Sequence, residues 1–539
     1  MKAVHLQTEY LTEPLGLGIA EPRFYWQAEG GITQSAYQII CFRNEEVVWD
    51  SGKVRSSSMT HIRYKGKALH SRDIVTWSVQ LWDEKDLPGE VSGSRFELGL
   101  LEADDWSAKW ISGDYKPVKN RRYPVDCFKK EFIAAGRILK ARLYATACGL
   151  YEFRLNGKKV GDGVLLPGNT DIRKRIQYQS YDITAQLKEK NCLTAELADG
   201  WFRGSVGAFG PRNVYGRQTK LLAQLEIVYA DGTQECVVTD DSWLWSGDGP
   251  IRFADLEDGE VVNAGMKPGY SGKAVLSDAK NLPVPTASDN VLPKTHERFT
   301  AKLIVTPGGK KVLDFGQNLA GFIAFTVHGK PGQILKLRLG EILDENGEFT
   351  QRNMQEIKPV KEYTHLTEIM FVTGMGKFYK GETQPTPLQE IRFICSGGVD
   401  HYESKFMISG FRYALIETEI EFDAAKFESI AVYSDMEQTG DFQCSHEGIN
   451  RLLRNNRWSM KSNYCDVPTD CPTRERLGWT GDIALFASTS AYNFDMSRFF
   501  KKWFLDVRSE QGRGGGLQMT VPSVAIYNQW EMCIPHAVD

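Results

Sequence analysis

Asp470-Cys471-Pro472-Thr473-Arg474-Glu475-Arg476-Leu477-Gly478-Trp479-Thr480-Gly481-Asp482 is the stretch on which the reading of this chain turns. It carries three carboxylates, two arginines and a tryptophan, and Pro472 and Gly478 break any regular helix through its middle. Hydrolysis of a sugar acetal needs a carboxylic acid to protonate the leaving oxygen and a second carboxylate acting on the other face of the ring. An aromatic plate and fixed guanidinium groups suit a polar ring with apolar C–H faces. Runs of acids and arginines also occur as solvated surface, where such pairs contribute little. Position decides between the two: the stretch follows a long β-rich region and sits within the chain's sustained helical pattern.

That pattern begins near Asp435. Ser445 reads as an N-cap, with Ile449, Leu452 and Leu453 at helical spacing before Trp458. Ile483-Ala484-Leu485-Phe486-Ala487 starts a second helix running to about Tyr492. Asp495 is placed to cap a third, whose Phe499, Phe500, Trp503, Phe504 and Val507 supply a broad apolar face. The acidic stretch is therefore a helix–helix connection, the usual home of chemistry on a rigid scaffold. Gly512-Arg513-Gly514-Gly515-Gly516 lacks the Lys-Ser/Thr ending and preceding strand of a phosphate cradle, and reads as a connector.

Upstream, three β units are expected. In residues 1–105, Tyr37 to Phe42 and Trp77 to Trp82 partly alternate like half-buried strands, and an immunoglobulin or fibronectin-like sandwich follows. Trp26, Trp77 and Trp82 read as core there. In residues 106–290, Tyr151 to Leu155 alternates strictly and ends in Asn156-Gly157, a strong hairpin signal, and Asp231-Gly232 repeats the device. Asp199-Gly200-Trp201-Phe202-Arg203-Gly204 reads as a loop with an exposed aromatic and arginine, open both to sugar contact and to self-anchoring by Trp201. A Pro-rich linker from Leu282 to Pro293 leads to a third unit, residues 298–430, punctuated by Gly308-Gly309, Gly329 to Gly332 and Asn346-Gly347. Residues 435–539 form the helical unit.

At 539 residues, several domains are expected. Sixty-five basic against 69 acidic residues give a net charge of −4, with no electrostatic footprint for nucleic acid or a membrane surface. The 13 Trp, 21 Tyr and 27 Phe without a basic excess fit a carbohydrate partner better than a phosphate-bearing one. No secretory h-region and no long apolar run is visible. The ten cysteines, without a Cys-x-x-Cys pair, read as free thiols in a reducing cytoplasm. No metal site or other cofactor is expected from the dispersed histidines, although a calcium site of scattered oxygens stays open. Oligomeric state is not legible.

Residues 470–482 resemble the signature of bacterial α-L-rhamnosidases of glycoside hydrolase family seventy-eight. The resemblance extends along the chain. Glu13-Pro14-Leu15-Gly16, Pro22 to Trp26, Ser35 to Gln38 and Trp49 to Val54 are similar to the family's N-terminal β domain. Asp199 to Gly204 resembles the second domain, and Asp314 to Gly321, Gly340 to Asp344 and Gly410-Phe411-Arg412-Tyr413 the third. The resemblance implies three N-terminal antiparallel β-sandwich domains followed by the first helices of an (α/α)6 barrel. It implies removal of terminal α-L-rhamnose from glycosides or polysaccharides by an inverting acid/base mechanism, with a rhamnose-containing glycoside as partner. Glu475 matches the general acid, and Asp470 and Asp482 match carboxylates that hold the sugar hydroxyls. Arg474 and Trp479 match substrate contacts by position.

Two departures stand out. Many members carry an extra Asp between the arginine and the glutamate, whereas Arg474 and Glu475 are adjacent here; the spacing from Glu475 to Asp482 is kept. An inverting enzyme also needs a general base about 6.5–9.5 Å from the acid, and the family's comes from far downstream. Asp495, Asp506, Glu510 and Glu531 do not match it. The roughly 100 residues after 435 are enough for three or four ordinary helices, so a C-terminally truncated rhamnosidase is expected. The rival readings are a carbohydrate-binding β-sandwich protein without catalysis and a lyase on an (α/α) barrel; the motif around Glu475 offers no Tyr or His base for the latter.

Overall fold

The computed structural model describes residues 1–119, 121–208, 210–288, 290–359 and 383–524. The chain is mostly antiparallel β-sheet with a helical unit after residue 436. Four α-helices are present among the described residues: α1 (Gly200–Arg203), α2 (Glu447–Asn463), α3 (Thr480–Asn493) and α4 (Ser497–Glu510). Among the described residues the helical unit consists of three long helices, α2, α3 and α4.

The first unit is a nine-stranded sheet running from Glu46–Asp50 through Ile74–Trp82 and Lys2–Thr8 to Ile62–Arg63. Alternation decides its faces: along Ile74–Trp82, Val75, Trp77, Val79 and Leu81 are buried, while their neighbours are less so. Phe24 lies 4.6 Å, ring to ring, from Trp77 on a strand from the other end of the sheet, so the sheet's two ends face each other over one core. Trp26 and Trp77 are core residues. Trp82 is only half-buried and stacks under Lys53, 4.6 Å from its ring.

The second unit packs a seven-stranded against a six-stranded sheet. Strand Leu150–Leu155 turns through Asn156 (φ 53°) and Gly157 (φ 82°) into Lys158–Lys159, with Leu155 opposite Lys158, the two-residue hairpin that Asn-Gly favours. The third is a ten-stranded sheet built around the long strand Lys311–His328. Strands Ile251–Asp255 and Gly259–Asn263 fall within 106–290 by sequence, yet Gly259–Asn263 pairs in parallel with Glu390–Ile394 of this third sheet. A short tight turn cannot signal such a long-range parallel pairing in advance. The core of this sheet also takes in Leu150, Val164 and Leu165 from the second unit, so the two share buried surface.

The stretch Asp199–Gly204 corrects the expected exposed loop. Gly200–Arg203 is one helical turn, and Arg203 is 1% exposed. Its Nε donates to Asp199 Oδ1 at 2.8 Å and Nη1 to the Tyr115 hydroxyl at 2.6 Å. A buried guanidinium needs such partners; the arginine is anchor, not contact. Trp201 is half-buried against Val206 and Leu477.

In the helical unit, α2 starts one residue beyond the expected cap, with His446 at the N-cap and no side-chain cap bond. Asp495 does serve the start of α4, accepting from Ser497 N at 2.9 Å, although Met496 occupies the cap position. Phe499, Trp503 and Val507 are buried on α4, whereas Phe504 is 48% exposed, so the apolar face is narrower than the sequence pattern suggests. Ile449 and Leu452, the residues that announced α2, are 46% and 58% exposed.

Two polar junctions fix α4 against the β units. Lys502, fully buried, donates to Asn169 O at 2.6 Å and to Asp466 Oδ2 at 2.8 Å. Glu9 of the first unit, 1% exposed, accepts from Arg23 at 2.7 Å and from Lys501 at 2.9 Å. A buried charge is tolerable only with such pairing. The first junction ties α4 and Asp466, in the connection between α2 and α3, to the second unit, and the second ties α4 to the first unit.

Candidate active site

The connection is a compact loop closed on itself. Asp470 N donates to Leu477 O at 3.0 Å, and Leu477 N returns a bond to Asp470 Oδ1 at 3.1 Å. Inside this ring, Glu475 N donates to Cys471 Sγ at 3.2 Å. Closure forces Arg476 into the left-handed region, φ 55°, which few non-glycine residues occupy. Gly478 must lie against Val521, because a Cβ there would stand 2.0 Å from the Val521 carbonyl oxygen.

Glu475 is held from two sides. Arg474 Nη2 donates to Oε1 at 3.0 Å, and Trp479 Nε1 donates to Oε2 at 2.8 Å. These bonds bring Arg474, Glu475 and Trp479 together at the loop's crest, with the arginine exposed and the glutamate and indole half-buried. Glu475 borders a cavity of about 40 Å³ whose walls include Trp201, Val206, Ile408 and Pro472.

Asp470 and Asp482 open instead onto a neighbouring cavity of about 190 Å³, with Asn463 at the end of α2, Tyr464 just after it, and Ile483 and Phe486 from α3. Thr469 lines both cavities. Asp482 is exposed in the first turn of α3, where the helix dipole favours a carboxylate. Burial, and then the nearby Glu475 charge, push the Asp470 carboxyl up to about 6 from an ordinary 3.8. Two carboxyl groups thus interact electrostatically at the head of the loop, one of them poised near neutrality. Such a pair can hold and pass a proton.

Sequence reasoning passed over Arg476 and Cys471. Arg476 is 9% exposed and its guanidinium donates to Thr473 O, Leu256 O, Ile408 O and Gln389 Oε1. A second arginine two residues from the first looks like more surface charge; nothing local signals that its partners lie on three distant segments flanking strands of the third sheet. Among the described residues no group of three or more His, Cys, Asp and Glu is placed to hold a metal ion, and all nine cysteines are free; Cys533 lies outside the described residues. No helix among the described residues is long and apolar enough to cross a membrane.

The loop thus presents a clamped glutamate, with Asp470 and Asp482 at the adjoining cavity. Family comparison gives the assignment. Four family models match in succession: a Rha78A-like N-terminal immunoglobulin domain over residues 3–102, an α-L-rhamnosidase N-terminal domain over 136–294, a bacterial α-L-rhamnosidase concanavalin-like domain over 304–433, and a bacterial α-L-rhamnosidase six-hairpin glycosidase domain over 437–537. An α-L-rhamnosidase of Formosa agariphila is 33% identical across 97% of this chain and 57% of its own length. One from Alteromonas sp. strain LOR is 31% identical across 96% and 57%. The crystal structure of Streptomyces avermitilis α-L-rhamnosidase complexed with L-rhamnose superposes with a TM-score of 0.86 at 26% identity, covering 97% of this chain and 66% of that one. The native Aspergillus terreus enzyme gives 0.85 at 30% identity, covering 98% and 60%. The chain belongs to the bacterial α-L-rhamnosidase family, and it spans little more than half the length of the curated relatives named here.

Proposed function

We propose that this chain is part of a glycoside hydrolase that removes terminal α-L-rhamnose from glycosides or polysaccharides with inversion. In this reading residues 1–105, 106–290 and 298–430 are its β units, and 435–539 begin an (α/α)6 barrel. Glu475 is the general acid, Asp470 and Asp482 hold the ring hydroxyls, and Arg474 and Trp479 orient the acid and contact the sugar. One observation carries the reading: a single loop clamps Glu475 between two donors while placing Asp470, with Asp482, at an adjoining cavity. Protonation of the leaving oxygen by Glu475 is the step this geometry serves. A water activated by a general base then attacks the anomeric carbon from the opposite face. That base is assigned to the part of the family's length that the match does not span. The exposed apolar residues of the helices, Ile449, Leu452, Leu485 and Tyr492, support the barrel, since in an (α/α)6 barrel they gain further helices to pack against.

The experiment pairs calorimetric titration with L-rhamnose and an assay on an aryl α-L-rhamnoside, both on a version extended to the full length of its relatives. Binding together with release of the aryl alcohol is the expected result; neither binding nor release would overturn the reading. A second reading, a rhamnose-binding β-sandwich protein without catalysis, draws on the chain's coverage of only 57% of its relatives. Binding without release would select it.

A further inference from the structure

We infer that the third β unit aligns the acid-bearing loop through Arg476, which acts as a positioning residue for Glu475 and Trp479. The inference rests on the proposed role of Glu475 for its functional meaning, and on geometry for the rest. Arg476 is the root of the loop. Its Nε donates to Thr473 O at 2.8 Å, tying the loop to itself, and its Nη2 donates to Gln389 Oε1 at 2.6 Å. Nη1 reaches the carbonyl oxygens of Leu256 and Ile408. Four acceptors on four segments are met by one planar fork, a task for which the five fixed donors of a guanidinium are suited and the single ammonium of lysine is not.

The contact closes from the other side as well. Gln389, fully buried, donates to Gly410 O at 3.1 Å. Gly410 in turn is the seat on which the loop lies: a Cβ there would stand 2.6 Å from Thr473 Cγ2 and 2.9 Å from Pro472 O. The path from loop to Arg476, Gln389, Gly410 and back to the loop is therefore continuous. Glu475 precedes Arg476 directly, and the inner bonds from Asp470 to Leu477 and from Glu475 to Cys471 make the loop move as one body. Its left-handed backbone at Arg476 persists only because these contacts over-determine it. The arginine's bonds go to carbonyl-type oxygens, with Glu257, Asp255 and Asp258 contributing charge from nearby. Burying a guanidinium this way stabilises less than apolar packing of the same volume, so alignment, not stability, is what the arrangement achieves.

The test reads the Trp479 indole N–H, whose bond to Glu475 gives it a distinct ¹⁵N–¹H resonance, assigned with Trp479→Phe. In Arg476→Met the resonance is expected to move or broaden, and amide exchange over residues 471–477 to quicken by about tenfold or more. The indole signal of Trp243, which donates to Val238 O in the second unit, is expected to stay in place. Arg476→Lys should recover part of the Trp479 position. Gly410→Ala and Gln389→Leu attack the same path from the sheet side and should shift Trp479 in the same sense, and they decide the question if Arg476→Met does not fold. A Trp479 signal unmoved in folded variants whose melting temperature has fallen would show a purely structural arginine and overturn the inference. The readout needs neither rhamnose nor turnover, so a failed rhamnosidase assay and a failed alignment are separate results.

Discussion

The indole nitrogen of Trp479 donates to one oxygen of Glu475 at 2.8 Å while Arg474 donates to the other at 3.0 Å. The carboxyl group is thus oriented before any substrate arrives, as efficient proton donation requires. Glu475→Gln removes the transferable proton and keeps the shape. In a version extended to the full length of its relatives, turnover of rhamnosides with poor leaving groups is expected to fall by about 10²–10⁴-fold on this substitution, the usual worth of a general acid. An aryl rhamnoside whose phenol leaves unaided should be hit far less. Equal losses on both substrates, measured as kcat/KM, would take the acid role away from Glu475.

Asp470 supplies a pH dependence of known sign. Its folded-state value of about 6 lies above the ordinary 3.8, so between these limits the folded protein holds more protons than the unfolded chain. Stability from this group is greatest below about pH 4, falls as pH rises to about 6 and stays lower above it. Two pKa units correspond to about 3 kcal/mol at most. Asp470→Asn removes the titration. Its urea midpoint is expected to exceed that of the unsubstituted protein at about pH 7.5 by the equivalent of about 1–3 kcal/mol, and to match it near pH 4. Rhamnose affinity should drop in the same variant. Parallel stability curves for the two proteins would contradict the assignment.

Glu9 makes the opposite case. Burial acts to raise it, but hydrogen bonds from Arg23 and Lys501 prevail and hold it at about 2, below the ordinary 4.5. Its contribution is present above about pH 4.5 and is lost as pH falls toward 2. Glu9→Gln is expected to cost about 2–3 kcal/mol at neutral pH, discounted for the partly exposed Arg23. The gap to the unsubstituted protein should narrow on acidification. Loosening should be concentrated where the first β unit meets α4, read as faster amide exchange around Tyr10 and Lys501.

Local patterns were legible where local physics decides. The alternation of Trp77, Val79 and Leu81 gave one strand, and Asn156-Gly157 gave the turn after another, Leu150–Leu155, because pleat and positive φ are properties of a few adjacent residues. The three carboxylates of the acidic stretch were visible as chemistry, and a loop between helices was readable from Pro472 and Gly478. What the sequence hid is long-range. Gly259–Asn263 finds its parallel partner more than a hundred residues on, and Arg203 and Arg476 looked like surface charge although both are buried. An arginine's fate depends on carbonyl oxygens that only the assembled sheets bring to it. The expected width of the apolar face on α4 failed for a related reason: Phe504 fits the helical period, but nothing among the described residues covers it fully.

Leu485 is 87% exposed, Tyr492 81% and Leu452 58%, all on α2 and α3. In this chain they bury little, so Leu452→Gln and Leu485→Gln are expected to change the melting free energy by no more than about 0.5 kcal/mol, as ordinary surface substitutions do. Both should reduce binding of an apolar dye such as ANS, because each removes exposed apolar area. Phe499→Ala, by contrast, empties a buried ring and should cost about 3–5 kcal/mol. The same two glutamine substitutions made in a version extended to the full length of its relatives discriminate the barrel reading. If further helices pack on α2 and α3, burying an unpaired amide there costs about 1–3 kcal/mol or more. An unchanged melting curve in the extended protein would mean that α2 and α3 keep these faces in water, and the (α/α)6 assignment would fail.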